Sequence, residues 1–310
     1  EPNSTFSEIF FKYFKSFKFK KNKKKLILIG SKELLLKQMK KLNYRFHINE
    51  IDDVKYSKVK LINLINVEYS FKKAFSKISS SSNDYIEKCF KIAIKLIKLN
   101  KLNKLINGPI SKTHFLKKKF PGITEYIGFK TNSKNQVMLI YNKKLSVSPL
   151  TTHIPLNEVT NKINKKLIIN NVTAINNFYL TNLKLKPKIA ILGLNPHCET
   201  KSKLNEEKKI IIPAVKKLKK NRINISGPFS ADTFFIKKNK SKYNSIVGMY
   251  HDQVLTPFKT IFEFDASNIT LGLPFLRISV DHGPNNTMLG KNKSNVDSLQ
   301  NIFNFINSLK

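Results

Sequence analysis

The stretch KIAILGLNPH, residues 188–197, reads as a β-strand that runs straight into a turn. Its apolar run has strand length, and Gly193, Asn195 and Pro196 break any continuation. A helical pattern follows at 205–218. The same order recurs along the chain. LILIG at 26–30 precedes a helix over 33–42, and KLING at 104–108 closes a strand with a turn. SIVGMY at 245–250 is another buried strand. Strands are also expected at 137–141, 145–149, 223–225, 269–273 and 276–280, the last two separated by Pro274. Helices are expected at 8–17, at 84–99 with Asp84 as N-cap, and over most of 159–180. A terminal helix over 294–309 would turn Val296, Leu299, Ile302, Phe303 and Ile306 inward. Residues 43–80 carry only short alternating runs and a serine cluster. Such alternation of strands and helices predicts an α/β protein with a largely parallel sheet.

The chain has 310 residues, 41% hydrophobic and 25% charged, enough to bury a core without staples. Cys89 and Cys198 are the only cysteines, which excludes a disulfide framework. No apolar run approaches the roughly 20 residues of a membrane span. No secretory pattern is visible, so a cytoplasmic location is expected. The formal charge is +37, yet only three of the 57 basic residues are arginines: Arg45, Arg222 and Arg277. Nucleic-acid readers rely on arginine's bidentate fork. Here lysines are spread among many Asn and Ile residues, all with A/T-rich codons, and tryptophan is absent. The basicity therefore reads as compositional drift on solvated faces, and no specific nucleic-acid partner is expected. The run at 20–25 is read as a basic connection. A general attraction to polyanions remains.

Three histidines share one context. His153, His197 and His251 each sit just past the carboxyl end of an expected strand, the edge where open α/β sheets bind ligands. Neutral imidazoles suit a divalent ion, although separations of 44 and 54 residues form no local motif. A hydrogen-bonded turn histidine is an equal reading at each position. Asp252 follows His251, and Lys259 lies further on, offering a proton acceptor and an anion partner. Asp232 is a second carboxylate or an N-cap. Arg277 offers a planar fork for carboxylate or phosphate, or a structural ion pair. Asn268 either binds an anion or ends a turn. No G-x-G-x-x-G and no G-x-x-x-x-G-K-[ST] occurs, so a dinucleotide would need another architecture.

Taken together, Asn107-Gly108-Pro109, Thr124-Glu125, TTHIPL at 151–156, GLNPH at 193–197, Gly227-Pro228 with Ala231-Asp232-Thr233, MYHDQ at 249–253, and NITLGLPF at 268–275 through Arg277 to VDHG at 280–283 resemble the 4-hydroxythreonine-4-phosphate dehydrogenase family of pyridoxal phosphate biosynthesis. The resemblance runs from about residue 84 to the end. It implies two α/β/α domains with a cleft, like isocitrate and isopropylmalate dehydrogenases, divided as 1–122 with 280–310, and 123–279. It implies a homodimer with shared active sites and a small phosphorylated substrate. It carries a metal-ligand role to His153, His197 and His251, for zinc, cobalt, nickel, magnesium or manganese. Substrate contacts fall to Thr124, Lys259, Asn268 and Arg277, with Asp232 and Asp252 nearby as candidate proton acceptors. It implies hydride transfer to NAD or NADP, followed by loss of carbon dioxide from a β-keto acid.

Three positions depart from the family pattern. Ile123 stands where the family has histidine, which removes a hydrogen-bonding group. Cys198 to Lys203 replaces a glycine-rich turn. Asn3-Ser4-Thr5-Phe6 replaces small residues in an opening turn, and Glu1-Pro2 resembles the tail of that turn, so the family's first strand is expected to be absent. A dehydrogenase of another phosphorylated four-carbon hydroxy acid is the alternative. A basic binding protein is a third reading.

Overall fold

The structure is a computed structural model that describes residues 1–16, 19, 24–99, 101–117, 119–199, 205–263, 265–280 and 283–309. Most of the expected basic connection at 20–25, the turn residues 200–203 and the pair Asp281-His282 lie outside the described residues.

In chain order the main elements are α1 (Phe6–Lys15), β1 (Ile27–Gly30), α2 (Lys32–Lys41), β2 (Ile48–Glu50), β3 (Ile62–Asn66), α3 (Asn83–Lys98), β4 (Lys104–Asn107) and α4 (Ile123–Lys130). There follow β5 (Val137–Tyr141), β6 (Ser146–Thr151), α5 (Lys165–Asn182), β7 (Ile189–Leu192), α6 (Ile212–Lys220) and β8 (Ile225–Phe229). The chain ends with β9 (Ser245–Tyr250), α7 (His251–Phe262), β10 (Ser267–Leu271), β11 (Leu276–Ser279) and α8 (Asp297–Ser308). These elements form two compact units. One contains Glu1–Ile127 with Phe275–Asn307, the other Gly128–Pro274 with Ser308–Lys310.

In the first unit β1, β3 and β2 form a parallel sheet in that order, and β4 pairs in parallel with β11. Helix α1 supplies Phe10, Phe11 and Tyr13 to an aromatic core. Tyr13 stacks on Phe303 of α8 with ring centres 4.4 Å apart. Glu8, on the same helix, is fully buried. Its Oε1 accepts a hydrogen bond from the Ser294 N–H at 2.7 Å, and Lys12 Nζ lies 3.8 Å away. Oε1 is thus both bonded and charge-paired, while the buried Oε2 has no hydrogen-bond partner among the described residues. Ser31 caps α2 by accepting from the Leu34 N–H. Helix α3 begins one residue earlier than its expected cap. Ser82 precedes it, and Asp84 lies in the first turn, where its charge faces the positive end of the helix dipole.

In the second unit the sheet order is β10-β5-β6-β9-β7-β8. Strand β5 is antiparallel to both neighbours, and the pairs from β6 to β8 are parallel. All four residues of β7 are buried, as a parallel strand covered on both faces requires. The expected helix over 159–180 is interrupted. One turn ends at Lys162, and Asn164 then caps α5 by accepting from the Leu167 N–H at 2.8 Å. Strand β8 starts later than expected and continues to Phe229. Gly227 there has φ +127°, and a Cβ would sit 2.3 Å from the Ile191 carbonyl oxygen of β7. Only glycine permits so close a crossing. Among the described residues no helix is long and apolar enough to cross a membrane.

Because Phe303 closes the aromatic core of the first unit, Phe303→Ala should destabilise the protein by about 3–5 kcal/mol. Urea unfolding would measure this as a lowered midpoint with an unchanged slope. A loss below about 1 kcal/mol would contradict the packing described.

Candidate active site

Strands β6, β9 and β7 are adjacent and parallel, so their carboxyl ends open on one edge of the sheet. Thr151 of β6 is in register with Tyr250 of β9. His153 therefore lies two residues beyond one strand and His251 one residue beyond its neighbour. Their ring centres are 6.1 Å apart. Two imidazoles bound to one ion through nitrogens about 2.1 Å from it place their ring centres roughly 5–6 Å apart. His251 Nδ1 is 2.7 Å from Asp252 Oδ1, which turns Nε2 toward the other side of the ring. His197 follows β7 in a tight turn and has left-handed backbone angles, φ 54° and ψ 16°. As the side chains stand, no group of three or more His, Cys, Asp or Glu among the described residues closes on a common point. The donor chemistry nevertheless suits a divalent ion: imidazole nitrogens at one edge, one of them oriented by a carboxylate.

Asp232 belongs to the same edge. Its Oδ1 accepts from the Ser230 hydroxyl at 2.6 Å and the Thr233 N–H at 2.8 Å. The Ser230 bond is the main reason its carboxyl is held below the usual range, with the Thr233 N–H and the nearby His197 adding to it. Asp232 is exposed and ionised at neutral pH. The N-cap reading is not realised, because its side chain bonds only the next residue and the serine before the turn.

Two residues given no role in the sequence reading hold this edge together. Glu207 is buried, and its Oε1 accepts from the Leu194 and Asn195 N–H groups at 2.8 Å each. Asn195 Nδ2 donates to Glu207 Oε2 at 3.0 Å and to Glu206 Oε2 at 3.0 Å. The turn that presents His197 is thus pinned by a carboxylate. Gln253 is the second. Its Nε2 donates to the Gly193 carbonyl at 2.8 Å, while its Oε1 accepts from the Met249 N–H at 2.7 Å. It clamps the end of β9 to the loop after β7. The one signal for Glu207 in the sequence was an acidic pair in a chain with only 20 acidic residues.

Lys259 and Asn268 lie elsewhere in this unit. Helix α7 starts at the histidine edge and packs back on β6 and β9. Lys259 sits in its last turn, about 12 Å along the axis from His251. Asn268 is in register with Ile140, and Ile140 with Val147 of β6. It is thus level with a residue four positions before Thr151, roughly 13 Å below the histidine edge. It is also two strands away from β6.

Thr124 and Arg277 meet in the first unit. Arg277 is 4% exposed. Its Nε donates to Asn107 Oδ1 at 2.8 Å and its Nη1 to Thr124 Oγ1 at 3.2 Å. Burial pushes its pKa down to about 10, while Glu125 works against that shift, so it stays a cation at neutral pH. The first position of α4 holds Ile123, which is buried and apolar. A cleft of about 920 Å³ at the carboxyl ends of β2 and β3 contains none of these residues. Two of its lining residues are bonded to Lys32: the Lys32 Nζ lies 2.6 Å from Glu50, and the Lys32 N–H donates to Asn66 Oδ1.

Comparison with known proteins agrees over nearly the whole length. The family model for pyridoxal phosphate biosynthetic protein PdxA matches residues 22–306. The chain is 39% identical to 4-hydroxythreonine-4-phosphate dehydrogenase of Sulfurihydrogenibium sp., over 94% of this chain and 90% of that protein. It is 32% identical to D-threonate 4-phosphate dehydrogenase of Pectobacterium atrosepticum, over 66% of this chain and 64% of that protein. The crystal structure of 4-hydroxythreonine-4-phosphate dehydrogenase from Klebsiella pneumoniae superposes with a TM-score of 0.83 at 25% identity, covering 98% of this chain and 93% of that one.

Glu207 provides a pH test of the turn. Burial opposes its ionisation, but the bonds from Asn195 and Leu194 outweigh it and hold the carboxyl below its ordinary 4.5. A depressed carboxyl contributes stability above the unfolded-state value and loses it as pH falls through the folded value. Glu207→Gln should therefore be less stable than wild type at pH 7, with the gap narrowing below about pH 4.5. Denaturant midpoints across that range would check it. A gap independent of pH would contradict it.

Proposed function

The chain belongs to the PdxA family of pyridoxal phosphate biosynthetic proteins, and we propose that it is a metal-dependent, NAD- or NADP-linked 4-hydroxythreonine-4-phosphate dehydrogenase. The reaction proposed is oxidation of 4-phosphohydroxy-L-threonine at its C3 hydroxyl to 2-amino-3-oxo-4-phosphooxybutanoate. Decarboxylation then gives 3-amino-2-oxopropyl phosphate. The observation that carries this reading is the placement of His153, His197 and His251 at the ends of three adjacent parallel strands, in a chain of this family.

His153, His197 and His251 would hold a divalent ion, whether zinc, cobalt, nickel, magnesium or manganese. The chemistry such an ion supplies is Lewis-acid polarisation of the oxygen being oxidised. Asp252 orients His251 and is thereby committed, so Asp232 is the better candidate to take the hydroxyl proton. Arg277, preorganised by Asn107 and Thr124, presents a fixed cation to a carboxylate or phosphate. Lys259 and Asn268 would hold the other end of the substrate.

We infer a homodimer from the separation within the second unit, on the reading that Asn268 contacts the substrate. A four-carbon acid cannot touch the histidine edge and Asn268 of the same chain, which lie roughly 15–20 Å apart by strand count. One small substrate can meet both sets if the second set comes from a partner subunit. Two free cysteines suit a reducing, cytoplasmic setting.

A dehydrogenase of a phosphorylated hydroxy acid without the amino group is the second reading. Ile123, buried beside Thr124, and the Pectobacterium relative favour it. Formation of reduced nicotinamide from 4-phosphohydroxy-L-threonine by metal-replete protein tests the first reading. Turnover should vanish with a chelator and return with added divalent metal. Undiminished turnover by chelated protein would refute the metal dependence, and turnover of 4-phospho-D-threonate alone would establish the alternative.

A further inference from the structure

A chain of hydrogen bonds runs through all three strand ends that carry the histidines. The buried Thr151 hydroxyl, two residues before His153, donates to the Met249 carbonyl at 2.8 Å. The Met249 N–H, two residues before His251, donates to Gln253 Oε1 at 2.7 Å. Gln253 Nε2 in turn donates at 2.8 Å to the Gly193 carbonyl, where the loop that presents His197 begins. The register of β7 with β9 ends at Ile191 and Val247, and beyond that pair Gln253 ties the two strand ends together. Its amide suits the task, because one group offers both a donor and an acceptor. Glutamate lacks the donor, and asparagine is one methylene shorter. Gly248 makes room for it: a Cβ there would sit 2.9 Å from Gln253 Oε1.

We propose that Gln253 is a positioning residue: by tying the turn of His197 to the strand end of His251, it sets the affinity of the histidine edge for a divalent ion. This rests on the reading of His153, His197 and His251 as metal ligands and deepens it. Each ligand stands on its own segment, so an ion that gathers loose segments must order them as it binds. Segments held beforehand remove that cost from binding. Gln253 acts through others in this role. On one side it works through Gly193 and the turn pinned by Glu207, on the other through α7, which begins at His251. A role confined to stability predicts something different, a lower unfolding midpoint with unchanged metal affinity.

Titration of metal-free protein with cobalt(II), read by the visible absorption of the bound ion, would test this. Wild type is compared with Gln253→Met, which keeps the length of the side chain and removes both bonds. The expected result is a dissociation constant raised at least about tenfold, with the fold retained by circular dichroism. Phe303→Ala, destabilised in the other unit, should bind cobalt within about twofold of wild type. An unchanged constant in Gln253→Met, or an equal loss in Phe303→Ala, would overturn the proposal. If Gln253→Met fails to fold, Gln253→Glu carries the test. Its added negative charge attracts the cation, so weaker binding supports the positioning role and equal or tighter binding overturns it. Wild type that binds no cobalt would refute the metal reading and this inference with it. Wild type that binds cobalt, with the same affinity in the variant, would refute the inference alone.

Discussion

The parallel register of β6, β9 and β7 is the constraint on which the rest depends. Parallel strands joined by right-handed crossovers must end on the same edge. Two residues past Thr151 and one past Tyr250 therefore converge, although nearly a hundred residues separate them in the chain. The same register separates other residues just as firmly. The hairpin of β5 and the antiparallel return of β10 carry Asn268 to the far end of the sheet. The geometry that brings His153 and His251 to one edge also holds Asn268 away from it, which supports the proposed two-chain site.

Around that edge, backbone groups are held by side chains. Gln253 spans two strand ends, and Glu207 fastens the turn before His197. A left-handed His197 is tolerable for a histidine when its surroundings over-determine the turn, and four bonds from Leu194 and Asn195 to the two glutamates do so. In the first unit the same logic applies to Arg277. Lysine has spread across the surface of this chain, but a buried cation bonded through Nε and Nη1 at once needs a guanidinium.

Strand and helix periodicity were legible wherever apolar runs were long, as at β1, β7, β9, α3 and α8. They were not legible in 43–80, where β2 and β3 are only three and five residues long and alternate with asparagine. Asn164 was hidden as a cap because the pattern on both sides of it is helical. The three histidines were legible as strand-end residues, but the approach of His153 to His251 was not, since spatial strand order has no signature in the chain. For the same reason Asn268 and Lys259 read as companions of the histidines, and their distance emerged only with the register. Gln253 was visible only as part of the MYHDQ block and Glu207 was not singled out, because the importance of each lies in what it bonds.

Mixing two inactive variants, His251→Ala and Asn268→Ala, and assaying the reassorted protein tests this account most directly. A site built from two chains predicts recovery of about a quarter of wild-type activity, because half of randomly mixed dimers are hybrids and each hybrid carries one intact site. Hybrids no more active than their parents, while both variants remain folded and subunit exchange is complete, would show that each chain builds its site alone and would contradict the account.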